Sequence, residues 1–155
     1  MIATASPTIK LPFEDYQAVE AQLFAADKRF SYHNELFKSK TECDKLHLAD
    51  LVLELPSVKL AIPPFLYTQN LIDDPNHFKC LVLIEQNMEG APSKDSISTV
   101  QDGPDYLTNN GYILGAPVLQ SFALLLDFNK NQIGFGQKVN SFGARVVQGK
   151  NVPSD

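Results

Sequence analysis

Apolar residues at helical spacing stand near the start of the chain. Three of them recur every three or four positions between polar neighbours and a fourth follows the last directly, which is typical of a helix with one buried face. They are Tyr16, Val19, Leu23 and Phe24. Pro12 suits the first turn of such a helix, and Glu14 and Asp15 place negative charge at its positive N-terminal end. The pattern predicts one helix over residues 12–26.

The middle of the chain alternates with a period of two instead. Every second residue of 51–55 is leucine, and this alternation is typical of a half-buried strand. Pro56 ends the run, and residues 58–62 resume the alternation. The two runs predict a β-hairpin.

The stretch from Gly111 to Gly136 changes its pattern several times. A short apolar run, residues 112–114, stops at Gly115, and Pro117 can open a helix. The predicted elements are a short helix at 117–122, a buried strand at 123–128 and its antiparallel partner at 132–135, across an Asn-rich turn. Strand, glycine turn, short helix and hairpin therefore follow one another in that order.

The remaining segments show little periodicity. Residues 27–48 are polar and are predicted to be irregular, held by four apolar anchors. The anchors are Phe30, Tyr32, Leu36 and Phe37. Residues 86–110 are rich in Gly, Pro, Ser, Asp and Asn, which predicts a long surface loop or insertion. Residues 145–155 predict a frayed polar tail.

Composition limits the size and class of the fold. With 155 residues, 44% of them hydrophobic, the chain can bury one core of ordinary size, and one domain is expected. No apolar run is long enough to span a membrane, and the first residues lack the pattern of a signal peptide. The formal net charge is -5, and the scattered Lys and Arg residues offer no basic face for phosphates. We expect neither membrane nor nucleic acid as a partner.

Two cysteines allow one disulfide and nothing more elaborate. Cys43 and Cys80 flank the predicted hairpin region, where an antiparallel return could bring them within bridging reach. The alternative is two free, buried cysteines, which is the ordinary state in a reducing compartment. The residues alone leave both states open.

The ordered blocks of the C-terminal half carry a family resemblance. They are Ile113-Leu114-Gly115, Phe122, Asp127-Phe128 and Ile133-Gly134-Phe135. The set resembles the end of the C-terminal lobe of pepsin-like aspartic proteases. In that family an apolar-apolar-Gly triplet threads a ψ-shaped loop and is followed by a helix, a strand ending in Phe-Asp and a Val/Ile-Gly-Phe strand.

Two further blocks keep the order of the same family. The segment from Cys43 to Cys80, with Pro63, Pro64 and Tyr67 inside it, resembles the family's cysteine-flanked strands with a proline-tyrosine corner. Upstream, residues 8–24 are similar to the strand and helix that follow the active-site loop of the second lobe. The resemblance covers about residues 2–138, with 86–110 as a long loop or insertion and 139–155 as an extension or tail. Nothing resembles the family's first lobe.

The resemblance implies a mainly β fold, a single lobe of a double-psi β-barrel with one longer and one short helix. It implies a disulfide between Cys43 and Cys80, and it places Ile113, Leu114 and Gly115 beside residues 3–6. It also implies a secretory, vacuolar or lysosomal location, although the chain itself carries no targeting signal and no Asn-x-Ser/Thr acceptor.

The catalytic turn of the family is incomplete in this chain. Aspartic proteases place two carboxylates about 3 Å apart, one from an Asp-Thr/Ser-Gly turn in each lobe, and the pair shares one proton. Counting back from Leu11 and Pro12, that turn falls on four residues. They are Ala3, Thr4, Ala5 and Ser6. Ala3 occupies the expected position of the catalytic Asp and Ala5 that of the glycine, so we expect no catalytic residue here and an inactive chain.

Other chemistry has little support in the sequence. Asp95 and Asp102 lack the residues of an active-site turn and are interpreted as solvated loop residues. His33, His47 and His77 have no ligands at metal-binding spacing, so neither a metal nor another cofactor is expected.

Three functional hypotheses remain from the sequence. The first is the C-terminal lobe of a pepsin-like aspartic endopeptidase family protein, inactive because it lacks the catalytic Asp and the first lobe. The second is a stand-alone pseudoprotease module that binds peptide or protein through the former cleft or residues 86–110. The third is an unrelated all-β interaction domain. Under the first hypothesis, a missing N-terminal lobe or a second copy of the chain is the expected partner.

Overall fold

The computed structural model describes residues 1–33, 35–88 and 111–148 of the chain, and these residues are mainly β. The strands are β1 (Ile9–Leu11), β2 (Phe30–His33), β3 (Leu36–Ser39), β4 (Leu51–Glu54), β5 (Val58–Ile62), β6 (Thr68–Asn70), β7 (Cys80–Val82), β8 (Ile84–Gln86), β9 (Ile113–Leu114), β10 (Phe122–Asp127), β11 (Gln132–Gln137) and β12 (Arg145–Gln148). The helices are α1 (Phe13–Ala26), α2 (Pro64–Tyr67) and α3 (Ala116–Ser121). The prediction of a mainly β fold with one longer helix is confirmed.

Strand β1 is the centre of a three-stranded sheet. It pairs in parallel with β8, Ile9 opposite Ile84, and antiparallel with β9, Ile9 opposite Leu114. Ile9, Ile84 and Leu114 are all buried, because this sheet lies in the middle of the hydrophobic core. The first strand of the chain therefore depends on partners from its second half.

Helix α1 covers one side of that core. Tyr16 and Leu23 are buried as the periodicity predicts, and the ring of Tyr16 stacks on Phe37 with 6.1 Å between centroids. The helix begins at Phe13, one residue later than predicted, and Pro12 precedes it as the N-cap residue. Its extended backbone, with ψ at 155°, explains the shift, because a helical residue needs ψ near −40°.

The region predicted to be irregular contains regular structure. Strands β2 and β3 form a hairpin within a four-stranded sheet of order β2-β3-β7-β6, so the prediction for residues 27–48 is wrong there. Phe30 and Phe37 are buried as predicted, whereas Tyr32 is exposed. Cys43, in a 3-10 helical turn, is disulfide-bonded to Cys80 of β7, with 5.0 Å between the Cα atoms. The disulfide is therefore present.

The predicted β4–β5 hairpin is confirmed, with Leu53 opposite Leu60. Strand β12 adds to the other edge of β5, so the prediction of a frayed tail is wrong for Arg145–Gln148. Arg145 also pairs with Asp50 at 3.1 Å. The remaining residues of the predicted tail, 149–155, lie outside the described part of the chain.

Strands β10 and β11 form a two-stranded ribbon with an Asp127–Gln132 pair at its far end. The pairing is as predicted, but burial of β10 is not: Leu125 is 72% exposed and Leu126 is 50% exposed. Only the base of the ribbon reaches the core, where Phe122 contacts Phe135 edge to face. Neither strand has another partner strand among the described residues, so the two outer edges of the ribbon are unpaired there.

The described residues form four separate small sheets and no closed barrel. Helix α3 begins one residue earlier than predicted, and Pro117 stands in its first turn. Within the described ranges, no helix combines the length and apolar character needed to cross a membrane. The predicted loop over 86–110 falls largely outside the described residues, which include only its first three positions and resume at Gly111.

Candidate functional site

The N-terminal residues form a turn that leads into β1. Ser6 donates its backbone N–H to the carbonyl oxygen of Ala3 at 3.2 Å, which closes the turn around Thr4 and Ala5. The Ser6 hydroxyl donates to the Thr8 carbonyl at 3.1 Å, and Thr4 and Ala5 are exposed at the tip. A hydroxyl at position 6 thus stabilises the turn before the chain enters β1.

Strand β9 lies between the two arms of this turn. On one side, Leu114 forms a parallel bridge with Ile2, donating its N–H to Met1 at 2.8 Å and accepting from the N–H of Ala3 at 3.0 Å. On the other side, Leu114 pairs antiparallel with Ile9 of β1. One short strand is therefore held by both the incoming and the outgoing arm of the same loop.

Gly115 completes the junction because no larger residue fits there. A β-carbon on Gly115 would lie 2.2 Å from the carbonyl oxygen of Thr8 and 2.5 Å from that of Ser6, well inside contact distance. Ala116 then donates its N–H to the same Ser6 oxygen at 2.8 Å. The glycine is needed for space rather than for a left-handed backbone, since its φ is −97°.

The predicted proximity to residues 3–6 is thus confirmed for Leu114 and Gly115, whereas Ile113 pairs with Lys10 of β1. The two glycines of β11 have no comparably close contact with another part of the backbone. A β-carbon on Gly134 or Gly136 would meet its neighbours at 3.5 or 3.6 Å, which is ordinary contact.

The carboxylate next to this turn belongs to Glu85 of β8 and not to the turn itself. Thr8, which is 3% exposed, donates its hydroxyl to Glu85 of β8. This bond fixes the outgoing arm against the parallel strand. The turn itself, Ala3 to Ser6, offers two hydroxyls and two methyl groups, and none of these can carry a proton between water and a substrate near neutral or acid pH.

The other predicted site residues lie apart from the turn. The disulfide joins the 3-10 turn at Cys43 to β7. His33 is packed against Phe78, and the described residues contain no group of three or more His, Cys, Asp or Glu side chains that could hold a metal ion. Asp95 and Asp102 lie outside the described part of the chain.

A groove between α1 and β4 was not found from the sequence. Its volume is about 490 Å³, and at one end Tyr112 donates its hydroxyl to Asp15 of α1. Burial, followed by the bond to Asp15, raises the pKa of Tyr112 to about 12. Tyr67, which also lines the groove, donates its hydroxyl to the carbonyl of Ala49. The sequence gives no signal for this groove, because Asp15 and Tyr112 are 97 positions apart.

No protein-family model matches this sequence, and a comparison with curated proteins finds no significant match. A functional assignment consequently depends on the residues and geometry of the chain itself.

Proposed function

We propose that this chain is the C-terminal lobe of a pepsin-like aspartic endopeptidase family protein that lacks the catalytic Asp and is inactive as it stands. The observation that supports this most is the threading of β9 between the two arms of the turn at residues 3–6. A double-psi lobe requires a strand held in this way next to its active-site turn. The fit of Gly115 against the Ser6 and Thr8 carbonyls gives a reason for the glycine of the Ile-Leu-Gly triplet.

The chemistry of residue 3 accounts for the proposed inactivity. An acid protease needs an ionised carboxylate to activate water and a protonated one to polarise the scissile carbonyl. Ala3 offers a methyl group in place of one of them. Glu85 is not part of this turn, because it lies on β8, where its carboxylate accepts the hydroxyl of buried Thr8.

A second candidate is a stand-alone pseudoprotease module that binds peptide or protein partners. The large exposed apolar residues of the β10–β11 ribbon favour it, because such side chains mark interaction surfaces. Leu125, Leu126, Phe128 and Ile133 are the exposed apolar residues of the ribbon and its turn. Under the first candidate the same residues would contact an N-terminal lobe or a second copy of the chain.

The test compares the native chain with an Ala3→Asp/Ala5→Gly variant in peptide hydrolysis between about pH 2 and 7, the range of a shared-proton carboxylate pair. We expect no hydrolysis by the native chain. The variant should also be inactive alone, and should hydrolyse peptide when mixed with an isolated N-terminal lobe that carries its own Asp-Thr-Gly turn. A statine-type transition-state analogue should block that activity.

Two outcomes would contradict the proposal. One is statine-sensitive hydrolysis by the native chain that disappears when an Asp elsewhere is replaced, since the active-site turn would then lie elsewhere. The other is a folded Ala3→Asp/Ala5→Gly variant that neither binds the analogue nor gains activity with the N-terminal lobe. The native chain mixed with the same lobe is the matched control.

A further inference from the structure

The α1–β4 groove is a second candidate site, separate from the turn at residues 3–6. We define it by the side of α1 that carries Asp15, Ala18 and Val19, by β4, and by Tyr112 at one end. None of the residues of the turn lines it. Its volume of about 490 Å³ lies within the range of small-molecule sites, about 300–1,000 Å³.

The floor of the groove is apolar. Leu11, Leu23, Leu51 and Leu53 line it, and each is less than a tenth exposed. A ligand with an apolar body would displace water from these leucine side chains, which favours binding in proportion to the apolar area covered.

The rim of the groove is acidic. Asp15, Asp50 and Glu54 line it, whereas no Lys or Arg does so among the described residues. Asp50 has an ion-pair partner in Arg145, and Glu54 has one in Lys59. Asp15 has no ion-pair partner within the described residues, and its carboxylate accepts only the Tyr112 hydroxyl. The end of the groove at Tyr112 therefore holds a carboxylate without a cation.

Both neighbours of Tyr112 strengthen this negative field. The charges of Asp15 and Glu54 contribute, after burial, to the raised pKa of the Tyr112 phenol, so both carboxylates act on the same end of the groove. A positively charged group placed beside Asp15 would be attracted most strongly by Asp15, because Glu54 is already paired with Lys59, and a carboxylate there would be repelled.

We propose that the α1–β4 groove binds small hydrophobic amines, that is, ligands with one protonated amino group on an apolar body. The ammonium group pairs with Asp15 beside Tyr112, and the apolar body covers the leucine floor. This inference does not depend on the proposed protease-lobe ancestry, because it uses none of the residues of the turn.

The test uses three probes of nearly the same shape: phenylbutylamine, phenylbutanol and phenylbutanoate. Each is titrated into the full chain, and amide chemical shifts are followed by nuclear magnetic resonance at neutral pH and low salt. We expect the shifts to cluster at Ala18, Leu51 and Tyr112. The amine should bind about fivefold more tightly than the alcohol, because it forms one partly exposed ion pair with Asp15. The acid should bind most weakly.

Two pairs of variants distinguish binding in the groove from nonspecific attraction of the amine to an acidic protein. Asp15→Asn should remove most of the preference for amine over alcohol, whereas Glu14→Gln, one residue earlier and outside the groove, should retain it. Ala18→Leu should weaken the binding of all three probes, because the larger side chain narrows the groove. Ala21 is exposed on the same helix but does not line the groove, so Ala21→Leu should leave the binding of the three probes unchanged. Circular dichroism checks that each variant is folded.

The proposal is overturned if none of the probes binds, or if amine and acid bind equally well. It is also overturned if Asp15→Asn and Glu14→Gln have the same effect, since general electrostatic attraction would then suffice. Shifts confined to the β10–β11 ribbon would place the binding on that surface instead.

Discussion

Gly115 lies against the carbonyl oxygen of Thr8 so closely that even a methyl group has no room between them. Gly115 and the Thr8 carbonyl group both belong to backbone segments that hydrogen bonds hold on either side, so neither segment can move away at low cost. Among the glycines in the described part of the chain, Gly115 is therefore the one where an added β-carbon would clash with the backbone.

Replacing Gly115 with alanine should destabilise the protein by about 3 kcal/mol or more, because the clash involves two backbone oxygens rather than flexible side chains. Gly111→Ala is the matched control, since a β-carbon there would meet no atom within 4 Å. Its effect should stay within about 0.5 kcal/mol. Urea unfolding measures both. Similar effects for the two variants would contradict the threaded arrangement.

Removing the disulfide should lower the free energy of unfolding by about 3 to 4 kcal/mol, because the bond closes a loop with a sequence separation of 37. The variant is Cys43→Ala/Cys80→Ala, measured by thermal or urea unfolding. A reducing agent should destabilise the native chain by a similar amount and should leave the double variant unchanged. An equal effect of the reducing agent on both would show that it acts elsewhere.

The exposed ribbon should cause self-association. Leu125 is 72% exposed on a two-stranded ribbon whose outer edges are unpaired within the described residues, and such surfaces promote pairing between chains. Sedimentation at increasing concentration should show oligomers, and Leu125→Asp should shift them towards monomer. Ile72→Asp is the control, because Ile72 is 87% exposed but lies in the loop after β6. A native chain that stays monomeric at high concentration would contradict the prediction.

Asp27 should stabilise the protein in a pH-dependent way. The hydrogen bonds from the Arg29 side chain hold the pKa of the Asp27 carboxyl below its usual value of about 3.9. A depressed folded pKa contributes stability above the unfolded value, and the contribution is lost as the pH falls through the folded value. Asp27→Asn should therefore cost about 1 kcal/mol at pH 7 and progressively less below about pH 4.

The measurement for Asp27 is urea unfolding of the native chain and the variant from pH 7 to pH 2.5. Asp44→Asn is the control, because Asp44 is exposed and forms no ion pair within the described residues. A difference between native chain and Asp27→Asn that stays constant with pH would mean that packing, and not charge, accounts for it.

Elements with a strong local pattern were predictable from the sequence. The periodicity of α1 and the alternation of β4 and β5 each depend on residues close together in the chain, and the structure has these elements where expected. The β2–β3 hairpin was missed because its turn lacks a glycine and instead places Glu35 at a φ of 65°. Ser39 of this hairpin is fully buried although it is polar. The polar composition of the segment therefore gave no indication that part of it would be buried.

Long-range features were only partly predictable. The contact of Gly115 with the N-terminal turn was expected from a family resemblance, whereas Asp15 and Tyr112 gave no sign of their contact. The apolar residues of β10 suggested a buried strand, but burial depends on which element covers a face. In the described structure nothing covers Leu125, so the same residues are exposed.

The position of β1 between β8 and β9 has a consequence for biosynthesis. Ile9 is translated long before its two partners, Ile84 and Leu114. Contacts between distant residues form slowly because loop closure must precede them. Strand β1 must therefore wait, incompletely paired, until residues 113–116 emerge, and during this interval Ile9 and Leu11 are exposed to chaperones that bind extended apolar segments.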